Sequence, residues 1–173
     1  MKHKFAIIGL GIMGRRMLEN VLRHPDFEVC GLWDPSTDSV AKTRLISPNA
    51  LIAQSAKAAM HEAHVVYLAC PPGPRKTYAL EAAANGQGVF MEKPLGTDNV
   101  QSRELVTQLA KARLPSVVNF TQAASRGFEE LSRSIQAGEA GELLGIDIVV
   151  NYPAWPRAWQ RDADWLRFRH EGG

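Results

Sequence analysis

A series of short apolar runs, each cut off by glycine, proline or a charge, constrains this chain more than any other feature. Phe5-Ala6-Ile7-Ile8, Val65-Val66-Tyr67-Leu68-Ala69 and Gly88-Val89-Phe90-Met91 are continuous rather than alternating, the pattern of strands covered on both faces. Residues 28–33 and 116–120 supply two more runs, and Leu51-Ile52 a weak one. Helical patterns are predicted between them, over 13–22, 38–45, 56–60, 76–84 and from a cap at Thr97 or Asp98 to 111. The fourth of these ends at Asn85-Gly86, a residue pair suited to a helix C-cap. Strands alternating with helices in this way predict an α/β fold with a doubly wound parallel sheet.

Gly9-Leu10-Gly11-Ile12-Met13-Gly14 stands between the first strand and the first helix. In such a GxGxxG loop the first glycine makes the turn, the second lets a pyrophosphate approach the backbone, and the third lets helix and strand pack closely. The helix start adds free amides and a favourable dipole. Alone the pattern is also that of an ordinary glycine-rich turn. Asp34, twenty positions beyond Gly14 at the end of the second strand, adds an acceptor for the adenosine ribose hydroxyls. A carboxylate there repels a 2′-phosphate, so NAD is favoured over NADP, although Lys42 or Arg44 could reach inward and soften the preference. The bland alternative for Asp34 is a turn stabiliser beside Pro35.

Chemistry beyond cofactor binding needs a reactive group at the far strand ends, and Glu92-Lys93-Pro94 supplies one. Lys93 is the candidate catalytic residue: an ammonium beside the nicotinamide is suited to passing a proton to or from a substrate oxygen. Its plainer reading is a surface ion pair with Glu92. Cys70-Pro71-Pro72 breaks the chain after the strong central strand, and Asn119 ends the last parallel strand. Asn119 is read equally as a nicotinamide contact and as a turn cap.

Composition bounds the partners. A net charge of +2 argues for neither nucleic acid nor membrane, and no apolar run approaches the length of a membrane helix. Small molecules are the expected partners. Cys30 and Cys70 lack the paired spacing of a disulfide framework or metal site, which fits a cytoplasmic location. His61-Glu62-Ala63-His64 resembles a zinc helix, but its histidines are three apart with no further ligand downstream, so it reads as a helix end.

After Phe120 the pattern changes. A helix is predicted over 128–135, ending at Ala137-Gly138, and then Leu144, Ile146, Ile148, Val150 and Tyr152 alternate with smaller or polar residues. This predicts a half-buried strand of a second, antiparallel sheet. The expected division is a Rossmann domain over 1–122 and the opening part of an incomplete α+β second domain over 123–173. An unpaired apolar strand there predicts self-association or a homo-oligomer. Trp155, Trp159 and Trp165 among Arg157, Arg161, Arg167 and Arg169 suggest a loop over a substrate site, since Asp162, Asp164 and Glu171 dilute the positive charge.

The glycine fingerprint, Asp34, Cys70-Pro71-Pro72, the Asn85-Gly86 turn and Glu92-Lys93-Pro94, in this order and spacing, resemble the glucose-fructose oxidoreductase, inositol dehydrogenase and MocA-like family over about residues 4–150. The resemblance implies an NAD(P)-dependent oxidoreductase acting on a sugar, polyol or related small molecule. It assigns Gly9, Gly11, Ile12, Met13, Gly14, Asp34, Cys70, Pro71, Pro72, Glu92, Lys93 and Asn119 to the cofactor and substrate site, with no metal. Cys70 and Arg75 stand where the family often has threonine and histidine, and Gly88 stands where a histidine is common before the final strand. The family's second catalytic group would follow Glu171-Gly172-Gly173. An inactive cofactor-binding module is the alternative function, and a methyltransferase shares the glycine loop without accounting for Glu92-Lys93-Pro94.

Overall fold

The computed structural model describes residues 1–156, 160–161 and 167–169. Met1–Asn119 form one compact unit, and a second lies within Phe120–Asp162.

The first unit is a five-stranded, wholly parallel sheet in the order β2-β1-β3-β4-β5. Its strands are β1 (His3–Ile8), β2 (Phe27–Trp33), β3 (Val65–Leu68), β4 (Gly88–Glu92) and β5 (Ser116–Asn119). Five helices connect or flank them: α1 (Ile12–Arg23), α2 (Thr37–Ile46), α3 (Ala56–Met60), α4 (Pro72–Ala84) and α5 (Asn99–Ala112).

Strand pleating explains why the apolar runs are continuous. In β1, Phe5 and Ile7 join a cluster with Leu18, Val21, Leu32 and Tyr67, while Ala6 and Ile8 join another with Ala59, Met60, Ala79, Leu105 and Leu109. Two buried faces leave no place for polar residues between the apolar ones. Each fully buried Ile or Leu contributes about 1.5–3 kcal/mol.

The helix boundaries follow capping chemistry. Ser36 and Ser55 accept from Ser39 N and Ala58 N at the starts of α2 and α3, and Asp98 accepts from Gln101 N at 2.8 Å to start α5. Asn85 and Gly86, the latter at φ +75°, end α4. The sequence pattern starts α4 at Lys76, but the helix begins at Pro72. Prolines fit a first turn because its amides have no intrahelical acceptor.

Two predicted strands are corrected. Leu51-Ile52 forms a single parallel bridge, Ile52 to Leu32. Residues 144–152 form no strand, and Leu144, Ile146, Ile148, Val149 and Val150 are all exposed. Alternation is a property of one segment, whereas a strand requires a neighbouring strand for its backbone groups, and the segment is not part of a sheet among the described residues.

In the second unit, α6 (Arg126–Gln136) follows a turn at Phe120–Ser125 and ends at Ala137 and Gly138, the glycine at φ +74°. The predicted start at 128 is thus two residues late. Trp155 is exposed, and Arg157, Trp159, Asp162, Asp164, Trp165 and Glu171-Gly172-Gly173 lie outside the described residues.

Candidate functional site

The chain order of the sheet reverses between β1 and β3, because the connection from β1 runs outward to β2 and the chain then returns to the other side of β1. Loops leaving these two strands diverge, and the crevice between them is where open parallel sheets hold ligands. The glycine loop leaves β1 there, and Cys70-Pro71-Pro72 leaves β3. Asp34 follows β2, Glu92 and Lys93 end β4, and Asn119 ends β5. The residues assigned from the sequence to the cofactor and substrate site therefore sit at or just beyond the carboxyl ends of the five strands.

Gly9 lies at φ +97°, and a Cβ there would come within 2.5 Å of Cys70 N. Only glycine fits both the backbone angle and the close approach of the β3 loop. A Cβ on Gly14 would collide with the Gly9 carbonyl oxygen, which is the helix-to-strand contact the third glycine permits. Gly11 is different. It precedes α1 with no side-chain cap, and a Cβ there would meet nothing within 4 Å. The first intrahelical bond runs from Arg15 N to Gly11 O, so the amides of Ile12 and Met13 have no acceptor within the helix. Open space beside free amides at a helix N-terminus fits a pyrophosphate.

Asp34 is anchored on both oxygens: Oδ2 accepts from Leu10 N at 2.6 Å and Oδ1 from Ser36 N at 2.7 Å. A carboxylate offers about four lone-pair sites, so acceptor capacity remains for ribose hydroxyls. Arg15 Nη1 donates to the Leu10 carbonyl at 2.7 Å, a second brace on the same loop. Lys42 is held by Asp38 at 2.7 Å on the outer surface of α2.

At the end of β4 the neighbours Glu92 and Lys93 differ in burial. Glu92 is buried, and its Oε1 accepts from the Tyr67 hydroxyl and from Asn119 Nδ2 at 2.6 Å. Lys93 is exposed. The surface ion pair between them is corrected: the Glu92 carboxylate is turned inward to Tyr67 and Asn119, and no ion pair joins it to Lys93 among the described residues. Burial raises the Tyr67 pKa, and the bond to Glu92 raises it further, so the phenol stays a donor. Asn119 donates one amide hydrogen to Glu92. The Lys93-Pro94 bond is cis.

Cys70 is buried, and burial pushes its thiol up to about 11. A neutral thiol is a poor nucleophile, so Cys70 contributes its backbone and small volume rather than reactivity. Arg75, in the first turn of α4, is buried and donates to the carbonyls of Cys70, Glu92 and Pro94.

Tyr67 and the Leu10 amide are parts of this site that the sequence reading passed over, and Arg75 entered that reading only as a departure from the family's histidine. A tyrosine inside a doubly covered strand is the one available signal, because a buried hydroxyl needs a partner.

Elsewhere the motifs are structural. His61 caps α3, Glu62 pairs with Lys4 at 2.6 Å, and His64 Nδ1 accepts from Lys4 N. Among the described residues no cluster of three metal-ligating side chains occurs, and no helix is long and apolar enough to cross a membrane. An apolar recess of about 300 Å³ between Phe5, Met17, Val21, Phe27, Val89 and Val117 lies at the amino ends of the strands, away from Lys93.

Known proteins share this arrangement. Residues 3–120 match the family described as "Oxidoreductase family, NAD-binding Rossmann fold". An oxidoreductase of Streptococcus pneumoniae is 23% identical over 172 residues, covering 98% of this chain and 45% of that protein. Inositol 2-dehydrogenase of Gluconacetobacter diazotrophicus is 27% identical over 146 residues, covering 82% of this chain and 43% of its own. The scyllo-inositol dehydrogenase of Lactobacillus casei, solved with NAD(H) and scyllo-inositol, superposes with a TM-score of 0.71 at 17% identity, over 82% of this chain and 43% of that one. The chain thus spans less than half the length of the relatives it matches. With two thirds of its residues matched, and the glycine loop, Asp34 and Glu92-Lys93-Pro94 at the strand ends, it belongs to the Gfo/Idh/MocA oxidoreductase family.

Proposed function

We propose that this chain carries the cofactor half of an NAD-dependent dehydrogenase that exchanges a hydride with a hydroxyl- or carbonyl-bearing carbon of a sugar, polyol or related small molecule. The observation that carries the reading is the exposed Lys93 on the same sheet end as the open, uncapped Gly11 turn. When bound, the cofactor supplies nicotinamide C4 as the hydride donor or acceptor. Gly11, Ile12 and Met13 hold the phosphates, and Asp34 accepts from the ribose hydroxyls. Lys93 Nζ binds the substrate oxygen and gives or takes its proton. Glu92 does not move protons to substrate in this reading; it ties β4 to Tyr67 and Asn119 so that Lys93 leaves the strand on the crevice side.

NAD is preferred over NADP because Asp34 opposes a 2′-phosphate, by about 1 kcal/mol at 4 Å in water and about 4 at an intermediate dielectric. Lys42 is paired with Asp38 at the surface, which competes with its approach to a 2′-phosphate. The dehydrogenases named above support a polyol substrate. Residues 123–173 open the substrate-binding part, and the exposed Ile146, Ile148 and Val150 make self-association the expected behaviour of this chain.

The test is a panel of inositols, sugars and sugar acids assayed with NAD by nicotinamide absorbance, with Lys93→Met alongside. Turnover lost in Lys93→Met with NADH binding kept supports the reading. Turnover unaffected by Lys93→Met contradicts it. NADH binding by the wild type without turnover on any substrate favours the binding-module alternative.

A further inference from the structure

Arg75 is 2% exposed, yet among the described residues no side-chain carboxylate is hydrogen-bonded to it. A buried guanidinium is costly unless its donors are satisfied, and here three backbone carbonyls accept from its two terminal nitrogens. Nη2 donates to Cys70 O at 2.6 Å, while Nη1 donates to Glu92 O at 2.5 Å and to Pro94 O. Nε has no hydrogen-bond partner among the described residues.

The placement of the three acceptors is informative. Glu92 and Pro94 are the residues on either side of Lys93, so both carbonyls that bracket the lysine bond to one nitrogen. Cys70 is the residue whose backbone abuts Gly9 in the glycine loop. One rigid fork therefore ties the loop beside the phosphate turn to the loop that presents the lysine. Burial lowers the guanidinium's pKa, but arginine remains charged at any ordinary pH.

We propose that Arg75 is a positioning residue that fixes Lys93 relative to the glycine turn and so sets the lysine against the nicotinamide end of the cofactor; the cofactor part of this inference rests on the dehydrogenase reading above. A flexible ammonium cannot hold three carbonyls in one plane as a guanidinium does, so lysine is not an equivalent replacement. Misplacing a reactive group by about 1 Å is enough to spoil its function while leaving distant binding contacts intact.

The experiment uses the full chain with Arg75→Lys and Arg75→Gln. Amine labelling of Lys93, followed by peptide mass spectrometry with and without saturating NADH, is compared with NADH affinity by fluorescence and folding by circular dichroism. Wild-type labelling is expected to slow about fivefold on NADH binding, whereas a folded variant keeps less than about half of that protection with its NADH dissociation constant within about threefold of wild type. Folded variants that keep half or more of the protection, or lose it only together with NADH binding, overturn the proposal.

A wild type that binds no NADH sinks the dehydrogenase reading instead. The NADH-free labelling rate then decides on Arg75, with a change of at least about threefold in a folded variant supporting it and a smaller one overturning it. If neither variant folds, hydrogen exchange in the wild type is decisive. Loops 68–71 and 92–96, tied by one group, are expected to open at rates within about tenfold of each other, and a wider gap overturns the tie.

Discussion

The carboxylate of Asp34 accepts a hydrogen bond from the backbone amide of Leu10 at 2.6 Å, so the acid after β2 holds the glycine loop after β1 in place. Asp34 thus acts on the loop in the protein itself, beyond its proposed role at the ribose. Asp34→Ala removes the bonds to Leu10 and Ser36 and is expected to cost about 1.5–3 kcal/mol of stability by urea unfolding. Fluorescence titration of the same variant is expected to show weaker NADH binding and a smaller preference for NADH over NADPH. An unchanged preference would remove Asp34 from the ribose site.

The three loop glycines separate folding from binding. Gly9→Ala places a Cβ within 2.5 Å of Cys70 N at φ +97°, and is expected to destabilise by about 2–5 kcal/mol. Gly11→Ala meets nothing in the protein and is expected to melt within about 1 kcal/mol of wild type. Its NADH affinity is expected to fall about tenfold or more, since the added methyl occupies the space given to phosphate. Normal NADH binding by Gly11→Ala would move the cofactor elsewhere.

Glu92 is the shared acceptor of Tyr67 and Asn119 in a buried setting. Glu92→Ala leaves both donors unpaired and is expected to cost about 2–5 kcal/mol in urea unfolding. Glu92→Gln, which keeps a carbonyl acceptor, is expected to fall between. Equal stability of all three proteins would mean that the network forms without consequence.

Alkaline stability follows from Cys70. Its thiol is held neutral in the folded protein up to about 11, against an ordinary value of 9.0. The folded state therefore keeps a proton that the unfolded state loses between these values, and stability falls as pH rises through them by about 1.4 kcal/mol per unit. Tyr67, whose pKa is also raised, adds to the decline above pH 10. Urea midpoints measured from pH 8 to 11 are expected to drop, with a shallower drop in Cys70→Ala. A midpoint flat across this range would contradict the burial of both groups.

The sheet was legible because its signals are local. A continuous apolar run reports two covered faces within one segment, and Gly9 reports its own positive φ. Glu92 and Lys93 were legible as a motif but not in their directions, because the partners that turn Glu92 inward lie 25 and 27 residues away on β3 and β5. Arg75 was hidden for a similar reason: nothing about an arginine in a first helical turn tells which carbonyls surround it. Residues 144–152 mark the opposite failure, where alternation promised a strand and no strand formed.

The central claim, that the glycine loop, Asp34 and the end of β4 form an NAD site, is tested most directly by titrating the wild-type chain with NADH and NADPH and following nicotinamide fluorescence. The account predicts saturable binding of NADH, tighter than that of NADPH. Failure of both to saturate at millimolar concentration would contradict it.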